Sequence, residues 1–228
     1  ALAAGCRVLC EKPLVYSPDM PGEELLKTAE DLAESAKKSN LRLALCSQYA
    51  VAVDYLLNSQ NVVPVAKPVT TFHGELASPL HEDEKSPLDV WFDLGPHLLA
   101  VVQMLRPNGT IHKESIQVDS DSCTVSASFT FQEAGVPPLN CTLDAYRTRG
   151  EPKNVRRLSM DNVAFDIEGA KDKNGVYASY VKADGNAFFA DDFLRVLIRR
   201  MRDDDPPLSA DAAVTNLRLL LEIADRIG

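Results

Sequence analysis

Arg7-Val8-Leu9-Cys10 is a short apolar run that breaks into Glu11-Lys12-Pro13, and it reads as a buried strand ending in a polar loop. Ahead of it, Ala1-Leu2-Ala3-Ala4 reads as the end of a helix closed by Gly5 as a C-terminal cap. Beyond it, Pro21-Gly22-Glu23-Glu24 opens a helix with acids in its first turn. Leu25, Leu26, Ala29, Leu32, Ala33 and Ala36 recur at helical spacing, and Lys37-Lys38-Ser39-Asn40 closes the helix with cations near its free carbonyls. Arg42-Leu43-Ala44-Leu45-Cys46 is then a second buried strand. A strand, a crossover helix of about a dozen residues or more and another strand form a βαβ unit, which requires a parallel sheet and puts ligands at the carboxyl ends of its strands. Lys12 and Gln48-Tyr49 fall at those ends.

After Tyr55, a helix residue leading to the turn Asn58-Ser59-Gln60-Asn61, the period becomes two. In Cys123-Thr124-Val125-Ser126-Ala127-Ser128-Phe129-Thr130-Phe131 every odd position is apolar and every even one carries a hydroxyl, and Leu139 to Tyr146 alternates likewise. Such alternation marks half-buried antiparallel strands. Val69 to Ala77, Arg157 to Asp166 and Val176 to Val181 read as further strands of a sheet with one covered and one polar face. Phe188 to Arg202 reads as a helix. A final helix starts at Ser209 and Asp211 and carries Val214, Leu217, Leu221 and Ala224 on one stripe.

Between these halves stands Trp91-Phe92-Asp93-Leu94-Gly95-Pro96-His97. Pro96 suits the first position of a helix, Gly95 suits the flanking turn, and Leu98, Leu99, Val101, Val102 and Leu105 carry the helix on to Pro107-Asn108-Gly109. Asp93 and His97 are thus expected at a helix N-terminus. There a carboxylate is favoured and an imidazole is biased to its neutral, proton-accepting form, as a general base requires. By itself the pattern equally describes a capping aspartate and a satisfied, partly buried histidine. The acidic stretch Ser78 to Pro87 just upstream reads as a solvated loop, placed where it could cover a site.

Composition narrows the function. The 228 residues are 45% apolar and 25% charged, enough for one large domain or a domain and part of another. A net charge of −9 and a pI near 5.0 argue against nucleic-acid or anionic-membrane partners, which call for a basic stripe. The five cysteines lie mostly inside apolar runs and lack metal-ligand spacing, so they read as buried small side chains in a reducing compartment. With no apolar run of membrane-spanning length and no secretion signal at its start, the chain is expected to be cytoplasmic.

Taken together, Ala3-Ala4-Gly5-Cys6-Arg7-Val8-Leu9-Cys10-Glu11-Lys12-Pro13-Leu14, then Asp93-Leu94-Gly95-Pro96-His97, then Pro207-Leu208-Ser209-Ala210-Asp211-Ala212, resemble the Gfo/Idh/MocA oxidoreductases, the relatives of glucose–fructose oxidoreductase and inositol dehydrogenase. The resemblance implies an α/β fold: residues 1–55 as the C-terminal part of a Rossmann dinucleotide-binding domain, and residues 56–228 as an α+β domain with a large, mainly antiparallel open sheet. It implies NAD or NADP as cofactor, with Glu11, Lys12, Pro13 and Gln48 beside it, and Lys12, Asp93 and His97 as catalytic residues. It also implies a small carbohydrate-like substrate and a homo-oligomer formed through the open sheet face.

The chemistry is coherent, since oxidising an alcohol sends a hydride to nicotinamide and a proton to a base while a cation steadies the alkoxide. The sequence departs from the family pattern at the bulky Leu88 to Phe92, at Ala100 and at Ser47-Gln48-Tyr49. It contains no Gly-x-Gly-x-x-Gly, so the pyrophosphate-binding turn is expected ahead of residue 1. Other readings are a dinucleotide-sensing regulator and an inactive assembly subunit of the same fold. Retention of Lys12, Asp93 and His97 together favours the enzyme.

Overall fold

The computed structural model describes residues 1–58, 68–80, 86–171 and 173–228. Strands β1 (Val8–Cys10) and β2 (Leu43–Leu45) pair in parallel, Val8 beside Leu43 and Cys10 beside Leu45. Helix α1 (Gly22–Lys38) crosses between them, with Glu23 and Glu24 in its first turn and Lys37 and Lys38 in its last, and it buries Leu25, Ala29, Ala33 and Ala36. The expected βαβ unit is therefore present, and helix α2 (Gln48–Asn58) starts directly beyond β2. Leu2–Ala4 forms a single 3-10 turn capped by Gly5, whose φ of 74° is a left-handed conformation that glycine adopts without strain.

The second part is a nine-stranded sheet. It comprises β3 (Thr71–Pro79), β4 (Thr110–Ile111), β5 (Gln117–Asp121), β6 (Thr124–Gln132), β7 (Leu139–Thr148), β8 (Val155–Met160), β9 (Val163–Lys171), β10 (Tyr177–Ala183) and β11 (Asn186–Asp191). The order is β11-β10-β9-β8-β3-β7-β6-β4, with β5 also along the edge of β6. Among the described residues of this sheet, β3 and β7 run parallel and the other neighbours antiparallel. Alternation sorts the side chains as expected: Val125, Ala127, Phe129 and Phe131 are buried, while Thr124, Ser126, Ser128 and Thr130 stay half-buried on the opposite face.

Helix α3 (Pro87–Leu105) lies against the covered face. It can approach closely because residue 74 is glycine: a Cβ there would stand 2.6 Å from Leu98 Cδ2 and 2.8 Å from Phe72 Cζ. Helices α4 (Phe193–Arg202) and α5 (Ala210–Ala224) complete the layer, α5 packing on α1 and α3. Trp91 Nε1 donates to the Leu220 carbonyl at 3.1 Å, and Asn216 Nδ2 donates to the Pro96 carbonyl at 3.1 Å and to Gln103 Oε1 at 2.8 Å. A single core runs from the βαβ unit under α3 to the large sheet.

Several expectations need correction. Helix α3 begins at Pro87, not Pro96. Ser86 caps it, its Oγ accepting from Asp89 N at 3.4 Å while Asp89 Oδ2 accepts from Ser86 N at 3.0 Å. Asp93 and His97 are thus mid-helix residues, and Pro96 lies inside the helix. Ser78 and Pro79 belong to β3 and Ser86 and Pro87 open α3, so the stretch from 78 to 87 is not one loop; residues 81–85 fall outside the described residues, as do Ser59, Gln60 and Asn61 of the turn after Tyr55. Arg157 to Asp166 is a hairpin, folded at Asp161, whose φ is 51° and whose carboxylate accepts the Thr70 and Thr71 amides at 2.9 Å. Phe188 begins no helix: Asn186–Asp191 pairs with β10, and the helix starts at Phe193, where Asp192 caps α4 through Arg195 N at 2.7 Å. Among the cysteines, Cys46 and Cys141 are buried, Cys10 and Cys123 are half-buried, and Cys6 is exposed.

Candidate active site

Both parallel pairs aim their carboxyl ends at the same place. Lys12 follows β1, Ser47 follows β2, and Ser78 and Arg147 stand side by side at the ends of β3 and β7. Into this point helix α3 presents Asp93 and His97, which are one turn apart and so share a helix face.

Lys12 Nζ donates to both the side chain and the backbone carbonyl of Asp93. Pro96, which lacks an N–H, leaves the Phe92 carbonyl without its helical donor one position before Asp93, so the ladder is interrupted next to the carbonyl that Lys12 reaches. The other Asp93 oxygen accepts from Arg147 Nη1 at 2.9 Å, and the same guanidinium reaches Ser78 Oγ. Arg147 has a side chain only 2% exposed, against 40% for Asp93, so the arginine has left water and the carboxylate has not. Burial works to raise the Asp93 carboxyl, but hydrogen bonding and charge from Lys12 and then Arg147 outweigh it and hold it below the usual carboxylate range.

His97 Nδ1 lies 3.1 Å from Ser47 Oγ, and its ring is tilted against Tyr49 with centroids 5.1 Å apart. Burial, and then the Lys12 charge, push its pKa down to about 3, with Asp93 opposing and Arg156 assisting. The imidazole is neutral, as expected, but from desolvation and neighbouring cations instead of a helix N-terminus. Burial also raises the Tyr49 phenol to about 12, against the pull of Arg156 and Gln48.

Lys12, Asp93 and His97 thus come together. Pro13 and Gln48 flank them, half-buried, at the strand end and at the first residue of α2. Glu11 is exposed and turned to Cys46, whose thiol burial, followed by the Glu11 charge, lifts to about 11. Sequence reasoning named Ser47 and Tyr49 without a role and missed Arg147, Ser78 and Arg156. For Arg147 the signal was present: carrying the Leu139, Cys141, Leu143, Ala145 alternation one step further puts an arginine on the covered face. Among the described residues, no group of His, Cys, Asp or Glu is arranged to hold a metal ion, and no helix is long and apolar enough to cross a membrane.

The fold is that of the Gfo/Idh/MocA-type oxidoreductases: a parallel βαβ portion joined to a large open sheet, with the side-chain cluster where they meet. UDP-N-acetylglucosamine 3-dehydrogenase GnnA from Acidithiobacillus ferrooxidans superposes with a TM-score of 0.68 and 19% identity, covering 99% of this chain and 72% of its own. An inositol dehydrogenase homolog from Azotobacter vinelandii, complexed with NAD+, gives 0.63 and 15%, covering 99% and 71%. A dehydrogenase (MviM) from Clostridium difficile gives 0.59 and 13%, covering 99% and 73%. No family model and no curated protein matches the chain in sequence.

Proposed function

We propose that this protein is an NAD(P)-dependent oxidoreductase that transfers a hydride between nicotinamide and a CH–OH group of a sugar, polyol or related hydroxy or keto compound. The observation that carries this reading is the convergence of a neutral, buried imidazole and a charge-clamped Lys12–Asp93–Arg147 cluster at the carboxyl ends of two parallel strand pairs. The structural neighbours support it, since they include dehydrogenases of a UDP-sugar and of inositol by name.

The residues fit the nicotinamide end of a dinucleotide. Lys12, Pro13 and Gln48 border the strand ends where such a ring sits in open α/β sheets, and Lys12 supplies fixed positive charge there. The cofactor, when bound, supplies the hydride acceptor. The chain's own groups handle the proton and the developing charge. With Nδ1–H donating to Ser47 Oγ, His97 Nε2 accepts the substrate hydroxyl proton. Lys12, held by Asp93, stabilises negative charge on the substrate oxygen. Arg147 fixes the Asp93 carboxylate, so it positions the lysine without touching substrate. Residues 1–55 serve the cofactor side and residues 56–228 the substrate side, and the polar open face of the sheet joins copies of the chain.

The test is a titration of NADH and NADPH followed by nicotinamide fluorescence, then a screen of polyols and sugars for hydride transfer. Dinucleotide binding with turnover on at least one CH–OH compound is the expected result. Binding of neither dinucleotide would refute the reading.

A further inference from the structure

Among the described residues, Arg156 is a cation beside the site with no counter-charge. It stands at the start of β8 opposite Leu76 of β3, in line with Leu158 and Met160, both fully buried on the covered face. Its neighbours at that end of the sheet are paired: Arg147 with Asp93, and Arg157, on the opposite face, with Asp166 at 2.7 Å. Among the described residues, Arg156 has no carboxylate and no hydrogen-bond acceptor in reach, although it is partly buried.

The guanidinium extends over bare backbone. Gly169 of β9 is exposed, and a Cβ built there would meet only Arg156 Nη1, at 4.0 Å. That end of the covered face therefore holds a cation beside space that no side chain of the described residues fills. The space lies at the cluster's end of the sheet: Arg156 pairs with Leu76 of β3, two residues before Ser78, which Arg147 contacts while holding Asp93. Lys12 and Arg147 already share the carboxylate of Asp93, so among the described residues Asp93 leaves Arg156 without an ion pair. A planar guanidinium with donors unused is matched by carboxylate and phosphate oxygens, which accept two parallel hydrogen bonds from it.

We infer that Arg156 sets substrate specificity by binding an anionic substituent, carboxylate or phosphate, on the sugar or polyol whose CH–OH group meets His97. This rests on the proposed oxidoreductase reading. The neutral polyol is then the poorer substrate, and the acidic or phosphorylated derivative is the preferred one. Arg156 belongs to β8 of the large sheet and not to the β1–β2 pair, which assigns the anion to the substrate side of the site.

The experiment has two arms on the same protein. Calorimetric binding of glucuronate, a hexose phosphate and glucose is measured for the wild type, Arg156→Ala and Arg156→Lys. Turnover with NAD+ and NADP+ is measured for the same three compounds. One anionic compound should bind more tightly than glucose, and its preference over glucose should fall by about 10–150-fold in Arg156→Ala, with partial recovery in Arg156→Lys. Which of the two binds tells carboxylate from phosphate. Equal binding of all three compounds by the wild type, or an unchanged preference in Arg156→Ala with its melting temperature retained, overturns the inference. A loss seen as a higher KM for the dinucleotide also overturns it, by moving the anion to the cofactor. Turnover of glucose without anion preference removes the inference and leaves the oxidoreductase reading intact. Anion binding that depends on Arg156, with no hydride transfer to either dinucleotide, removes the oxidoreductase reading and keeps the anion site.

Discussion

Asp93→Asn would remove the one carboxylate on which Lys12 and Arg147 converge, at almost unchanged volume. Breaking a fully buried ion pair by deleting one partner costs about 3–5 kcal/mol, because the remaining charge stays out of water. Arg147 meets that condition with 2% side-chain exposure, whereas Asp93, at 40%, leaves a path for water to reach its partners. Ser78 Oγ also continues to accept from the guanidinium. The expected cost is therefore smaller, about 2–3 kcal/mol, read from urea unfolding at neutral pH as a lower midpoint with unchanged slope. The sign with pH follows from a folded carboxyl held below its ordinary value. The stabilisation is complete above the unfolded pKa of about 3.9 and is lost as pH falls through the lower folded value, so wild type and variant converge in strong acid. Arg147→Met added to Asp93→Asn should cost less than the sum of the two single changes, because the second removes a charge that the first had stranded. A loss under about 0.5 kcal/mol for Asp93→Asn, or strict additivity, would refute the view that this carboxylate neutralises a buried arginine.

The remaining expectations concern the imidazole and the helix–sheet contact. His97→Ala should lower kcat by about 10²–10⁴-fold while dinucleotide affinity measured by fluorescence stays near wild type; a collapse of cofactor binding would make His97 structural. His97 is held down to about 3, well below the ordinary histidine value, so the unfolded chain binds its proton first. Stability should fall as pH drops from about 6.5 towards 3, and His97→Asn should show a shallower fall over that window in pH-dependent melting. Gly74→Ala should destabilise by about 1–3 kcal/mol in urea unfolding, since its methyl would lie 2.6 Å from Leu98 Cδ2; no loss would mean that α3 is free to move off the sheet.

Much of this architecture can be read from local pattern. The βαβ unit is legible because Leu25, Ala29, Ala33 and Ala36 recur at helical spacing between two short apolar runs, and a parallel pair needs such a crossover. The strands β6 and β7 are legible because one face must be dry and the other wet, which writes period two into the residues. Lys12, Asp93 and His97 could be singled out by type and setting, although nothing local reveals that they meet.

What local pattern left undecided depended on partners distant in the chain. Pro96 reads as a helix start because proline suits the first position, yet the helix capped by Ser86 continues through it, packed against α5, whose Asn216 donates to the Pro96 carbonyl. Asn186–Asp191 could follow Phe188 and Phe189 into a helix, but hydrogen bonding to β10 makes it a strand. Arg147 acquires its meaning only from an aspartate 54 residues away, and Arg156 only from the lack of such a partner among the described residues. The sequence by itself determined the elements and the residue types available for chemistry, because periodicity and capping act within a few residues. The tertiary structure decided which charges are neutralised and which are left for a ligand, because ion pairing and desolvation depend on groups that only folding brings together.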